Sequence, residues 1–245
     1  MQNELELSKR RLIELSRRAE KTGACTCSDF LTPAEQGWLL KENIPTLTLT
    51  GGHPSAERRL AVFKPYDGAE CPARIACLKI SPANPRFAEP LTHRDYLGAL
   101  MALGLKRETM GDIVLRDGCA YVFCLDTVAP YIAEQLREVR HTSVRVTPTH
   151  LDDFTPPEPP PETVINVPSL RLDALVAAVY RLSRTEAQRL FERELVLVNS
   201  LPPRSPSLAA DEGDLISVRG HGRFVYCGAA GETRKGRLRV RVRVY

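Results

Sequence analysis

Between Thr155 and Pro161 the chain reads TPPEPPP. Five of those seven residues are proline, so this stretch forms neither helix nor central strand. It reads as an extended, semi-rigid spacer. The segments on either side of it must therefore bury their apolar residues separately. The sequence divides into an N-terminal helical segment (1–44), a central α/β domain (45–154), a proline-rich linker (155–162) and a C-terminal domain (163–245).

Charge is divided in the same way. The last 83 residues carry 14 Lys and Arg against 8 Asp and Glu, while the preceding 162 carry 20 against 22. The excess positive charge thus lies entirely beyond the spacer. A basic module on a near-neutral body suits a polyanion, because each phosphate neutralised releases a counterion. A hydrophobic fraction of 43% supports real cores and excludes a wholly disordered chain.

The seven cysteines are odd in number and lack framework spacing, which argues against a secreted disulfide scaffold. Cys25-Thr26-Cys27 is too close for a Cys-x-x-Cys zinc knuckle. Most of the cysteines are expected to be reduced, buried small hydrophobes, with no metal and no cofactor. MQNELELSKRRLIELSRR has no continuous apolar core of a signal peptide. No stretch approaches membrane-spanning length without charges. The cytoplasm is the expected location.

Along the first body, Leu5, Leu12, Leu15 and Ala19 recur at helical spacing from Glu4 to Lys21, with Gly23 as a stop. Thr32-Pro33-Ala34-Glu35 carries a cap, a first-turn proline and a capping box. Thr46 to Thr50 alternates with period two and stops at Gly51-Gly52, the pattern of a strand and turn. Ala56 to Phe63 reads as helical, and Ile75 to Ile80 as a strand. Thr92-His93-Arg94-Asp95 is a second capping box, opening a helix that ends near Gly104. Asp112–Leu115 and Ala120–Cys124 form a hairpin around Asp117-Gly118. Thr127–Val139 reads as a helix and Ser143–Val146 as a last strand. The implied fold is α+β, with helices on one face of a sheet. Tyr121 and Phe123 are the only aromatic pair on its strands, so base stacking is not expected there.

Beyond the spacer, Arg171-Leu172-Asp173 leads a helix through Leu175, Ala178, Val179 and Leu182. Ser183-Arg184-Thr185-Glu186 is a third capping box and launches another. Leu195–Val198 is a strand, Asn199-Ser200 a turn, Gly213-Asp214 a turn into Leu215–Val218, and Arg219-Gly220-His221-Gly222-Arg223 a loop. The segment from Lys235 to Tyr245 alternates basic and apolar residues with period two. One face of that strand is Leu and Val, the other a row of Arg.

These strings resemble a known family. RLD…SR-x-x-A-x-x-L…LVLVN…EGDLISVR is similar to the small RNA-binding domain of ribosomal small-subunit protein four, the alpha-L motif. ISVRGHGRF, with FLTPAEQ, GGHPSAERRLAVF, LTHRDYLGALMALGLKRETMGDI and YVFCLDTVAPYI upstream, resembles the YlmH family of bacterial RNA-binding proteins, encoded near cell-division genes. The resemblance spans nearly the whole chain. It implies a short helical N-terminal part, a central RNA-recognition-like α/β sandwich, and an alpha-L domain of two helices packed on a small sheet. The family turn Asn-Gly is here Asn199-Ser200.

The residues point the same way. Arg184 falls in the first turn of a helix, where backbone N–H groups favour anions and a guanidinium can fork onto phosphate. Arg189 and Arg193 lie four apart on one helix face, which continues from Arg184 with some rotation. Arg219 and Arg223 flank a Gly-His-Gly loop where main chain can approach phosphate. The candidate RNA-binding set is Arg171, Ser183, Arg184, Arg189, Arg193, Asn199, Arg204, Arg219, His221 and Arg223. The plainer alternative for any one arginine is a surface ion pair, such as Arg171 with Asp173. The expected partner is structured RNA, ribosomal RNA or tRNA on the large subunit, with no membrane and no small-molecule substrate. A non-catalytic, ribosome-associated RNA binder is the leading reading. An RNA-modifying enzyme of the pseudouridine-synthase type, built on Asp173, and a cell-division accessory protein are the alternatives.

Overall fold

The structure, a computed structural model, describes every residue except Met1, Asn43, Ala73, Pro157, Ser200 and Lys235, and the side chains of all but residues 2–5 and 87 among the rest. The chain falls into two compact units, residues 1–157 and 158–245.

In the first unit, α1 (Gln2–Thr22) stops at Gly23, whose φ of +68° suits glycine. β1 (Thr26–Leu31) comes next, then α2 (Pro33–Lys41). The Thr32 hydroxyl accepts from the Glu35 N–H at 3.3 Å, and the Glu35 carboxylate accepts from the Thr32 N–H at 2.7 Å. β2 (Leu47–Thr50) and β3 (Arg59–Phe63) complete an antiparallel sheet in the order β1-β3-β2. Two expectations change here. Ala56–Phe63 is not a helix, because Leu60, Ala61, Val62 and Phe63 are all buried, as a central strand covered on both faces requires. That burial erases the alternation that would have marked a strand. The N-terminal segment 1–44 is not purely helical either, since β1 pairs with β3 and the layer runs on to residue 63. The expected turn after β2 is present. Gly52 has φ +90°, and a Cβ there would meet the Phe123 ring at 2.6 Å.

The rest of this unit is β4 (Ile75–Pro82), α3 (His93–Ala102), β5 (Met110–Arg116), β6 (Cys119–Leu125), α4 (Ala129–Gln135), β7 (Glu138–Val139) and β8 (Thr142–Thr149). Five antiparallel strands lie in the order β5-β6-β4-β8-β7. The path β4-α3-β5-β6-α4-β8 is the split βαβ arrangement of ferredoxin-like folds. α4 is shorter than the Thr127–Val139 expected. Arg140 takes a left-handed turn (φ +54°), which sends Glu138 and Val139 into a hairpin with β8 instead. One sheet face packs Leu78, Ile80, Met110 and Val122 against Tyr96, Leu100 and Ile132 of the helices. The other packs Ile75, Cys77 and Phe123 against Phe30, Leu60 and Val62 of the first sheet and against Phe154. Both faces are thus covered.

The cysteines depart from expectation at one pair, Cys25 and Cys71, which are joined as a disulfide with Cα atoms 5.8 Å apart. The bond staples the start of β1 to the loop before β4. Burial pushes the Cys77 thiol up to about 11 and the Cys124 thiol up to about 12, which leaves both inert.

The second unit contains β9 (Thr163–Val167), α5 (Leu172–Tyr180), α6 (Arg184–Glu192), β10 (Val196–Val198), β11 (Leu215–Val218), β12 (Gly222–Glu232) and β13 (Leu238–Val244). The antiparallel order is β10-β11-β12-β13-β9. Val167, Ile216, Phe224, Tyr226, Val240 and Val242 line the face that meets Leu175, Val176 and Ala187 of the helices. Among the described residues, no helix is long and apolar enough to cross a membrane.

Candidate nucleic-acid interface

α6 is built to display arginine. Its Ser183 cap accepts from the Glu186 N–H at 3.2 Å, and the Glu186 carboxylate accepts from the Ser183 N–H at 2.8 Å. Those bonds hold the Glu186 carboxyl below its ordinary value. The Ser183 oxygen therefore serves the helix end. Ala187 is buried, and Leu190 and Phe191 are half-buried, which fixes the inward face. Arg189 and Arg193 point away from it together. Arg184 lies about 140° around the axis from Arg189, so it flanks their stripe and does not extend it. All three are exposed, and none joins an ion pair among the described residues.

Arg171 is held differently. Its guanidinium forks onto the buried Asp173 carboxylate at 2.6 and 3.0 Å. That bond, above all, holds the Asp173 carboxyl below its ordinary value, with Arg184 contributing from a distance. Two of its five donors are occupied, and Arg171 caps α5 as part of the frame. Residues 201–210 pack against the same end, with the Leu172 N–H donating to the Leu208 carbonyl and the Asp173 N–H to that of Pro206. Arg204 stands exposed on that loop. Asn199 is also structural. It takes the left-handed conformation (φ +48°), its amide donates to Asp214 at 2.7 Å, and its oxygen accepts from the Leu215 N–H at 3.0 Å. One of its two amide donors and its oxygen are thus engaged by the turn. The second turn residue, Ser200, lies outside the described residues.

Arg219 and Arg223 come together. They line an open concavity of about 510 Å³ with Glu194, Leu195, Leu197, Ser217, Val218, Gly220, Gly222 and Tyr245. The Arg219 N–H donates to the Leu195 carbonyl at 2.9 Å, which ties the loop to the exit of α6. The Arg223 guanidinium lies over the Tyr245 ring, 5.2 Å from its centroid. His221, between the two arginines, sits against Tyr180 with ring centroids 5.3 Å apart. The loop is thereby set beside the junction of α5 and α6. Burial pushes the Tyr180 hydroxyl up to about 12, and that hydroxyl has no hydrogen-bond partner among the described residues.

Two features escape a reading based on motifs. Tyr245 is not core but 49% exposed. The Arg239, Arg241 and Arg243 row stands on the sheet face away from the helices, and the period-two alternation was its signal. In the central unit, the sheet face where RNA-recognition aromatics stack bases is closed. Phe123 is fully buried and Tyr121 packs on Phe154, with ring centroids 5.1 Å apart.

A ferredoxin-like body and a small basic domain of two capped helices on an antiparallel sheet define a modular α+β protein. The comparisons narrow this. A family model described as "Putative RNA-binding domain in YlmH" matches residues 74–153. The chain is 33% identical to the ribosome-associated protein quality control protein P2 of Bacillus subtilis (strain 168). That match runs over 236 residues and covers 93% of this chain and 90% of that protein. The chain belongs to the YlmH family. A solved structure, the cell division protein ylmH from Streptococcus pneumoniae, matches 56% of this chain and 86% of its own with a TM-score of 0.45 at 21% identity.

Proposed function

We propose that the chain is a non-catalytic, cytoplasmic, ribosome-associated protein that docks on structured RNA through residues 163–245. Ribosomal RNA or tRNA on the large subunit is the partner, and the role is in handling stalled large subunits or in assembly. The observation that carries this reading is the shared concavity of Arg219 and Arg223, set beside a helix that displays Arg184, Arg189 and Arg193, none of which joins an ion pair among the described residues. Main chain at Gly220 and Gly222 can approach phosphate there without side-chain obstruction. The ribosome-associated relative from Bacillus subtilis agrees with docking on the ribosome, while the family model described as a putative RNA-binding domain covers residues 74–153 and does not bear on residues 163–245. Catalysis at Asp173 is disfavoured, because that carboxylate is buried with both oxygens held by Arg171.

The test is Arg184→Glu in the full chain, read by fluorescence anisotropy on a labelled RNA hairpin at rising salt. Affinity should fall at least about tenfold, with a shallower salt slope. The melting temperature should hold, since an exposed first-turn arginine packs no core. Unchanged affinity, or a cooperative loss of structure, overturns the reading.

A further inference from the structure

We infer that the helix-free face of the C-terminal sheet is a second nucleic-acid surface, a track for an extended single-stranded RNA segment. The inference rests on the chain being an RNA binder, but not on the residues of α6.

The strand β13 supplies the geometry. Val240 and Val242 are fully buried beneath the helices. Strand side chains alternate between faces, so Arg239, Arg241 and Arg243 stand on the other side, successive ones about 6.8 Å apart. Pairing extends the surface sideways, because Arg243 lies opposite Val225, Arg241 opposite Val164 and Arg239 opposite Asn166. The result is a line of guanidinium groups bordered by two valines and an asparagine.

One end of the line carries an aromatic platform. The Tyr245 N–H donates to the Arg223 carbonyl at 2.9 Å, which places the Tyr245 ring at the rim of the concavity. Arg223 lies over that ring, and the ring is half-exposed. A base arriving along the strand meets a cation-backed π face, while the phosphates behind it meet Arg243, Arg241 and Arg239. Aromatic stacking beside a positive groove is how sequence-tolerant single-strand binders work.

The charge balance shows what the row accepts. Glu162 bridges two of its members, 2.7 Å from Arg243 and 3.6 Å from Arg241. One anionic group held between two guanidiniums is the arrangement that a phosphate would take. The Arg241 Nε is buried and has no hydrogen-bond partner among the described residues. Glu212 approaches that residue at Gly228, where a Cβ would meet the Glu212 carboxylate at 2.7 Å and the Arg241 guanidinium at 3.1 Å. Arg239 is exposed and joins no ion pair among the described residues.

The experiment uses the full chain and two labelled probes, a mixed-sequence single-stranded RNA of about twelve nucleotides and a blunt RNA hairpin. Anisotropy is read at several salt concentrations. Arg239→Glu should weaken the single strand about tenfold and lower its salt slope by about 0.7, leaving the hairpin as in the wild type. Glu162→Gln should tighten the single strand several-fold, because it frees two guanidiniums. If both variants bind the single strand as the wild type does, there is no track. The track is equally ruled out if Arg184→Glu abolishes single-strand binding while Arg239→Glu leaves it intact. A hairpin that still binds Arg184→Glu at full affinity speaks against α6 alone and is read on the separate probe.

Discussion

The chain contains two five-stranded antiparallel sheets, and they are used in opposite ways. The central sheet has helices on one face and the β1-β3-β2 layer with Phe154 on the other, so its aromatics serve as core. The C-terminal sheet buries one face beneath α5 and α6 and leaves the other to arginine. A sheet covered twice cannot stack a base however much it looks like a recognition fold. A sheet covered once can, if its open face carries the right charge. The presence of a fold is therefore a poor guide to RNA contact, and the covering of its faces is a better one.

The largest effect belongs to Phe123→Ala, which empties a fully buried site between the layers of the first unit. It should cost about 3–5 kcal/mol in denaturant unfolding. A loss below about 1 kcal/mol would show that the second face is not truly closed.

Next comes Asp173→Asn, which breaks the fork from Arg171. It should cost the C-terminal unit about 1.5–3 kcal/mol at neutral pH. The Asp173 carboxyl is depressed in the folded state, so its contribution is fully present above its unfolded value near 3.9 and fades as pH falls through the folded value. Melting curves of the variant and the wild type should therefore draw together in acid, and parallel curves down to low pH would contradict the assignment. The smallest effect is that of Arg239→Glu on stability, expected within about 0.5 kcal/mol by thermal melting. A larger loss would mean that the open face is structural after all.

Much of the fold was legible in the sequence because local chemistry dictated it. The capping boxes at Thr32, Thr92 and Ser183 open α2, α3 and α6 as their spacing implied. The Asp117-Gly118 turn joins β5 to β6. Other features depended on distant partners. The strand at Arg59–Phe63 looks helical in sequence because its burial comes from layers on both faces of its sheet. The Cys25–Cys71 pair joins residues 46 apart, and Glu162 meets an arginine 81 residues away. At the site, spacing indicated which arginines could share a helix face, but not which guanidiniums were engaged. Arg171 and Asn199 fit the motif and turned out to be framework. Tyr245 carried no motif and stands at the rim of the concavity.

The staple between Cys25 and Cys71 has a mechanical corollary. It turns the stretch holding β1, α2, β2 and β3 into a covalent ring. A force applied to the two ends of the first unit bypasses that ring, so about 150 Å of contour stays out of reach until a reductant opens it.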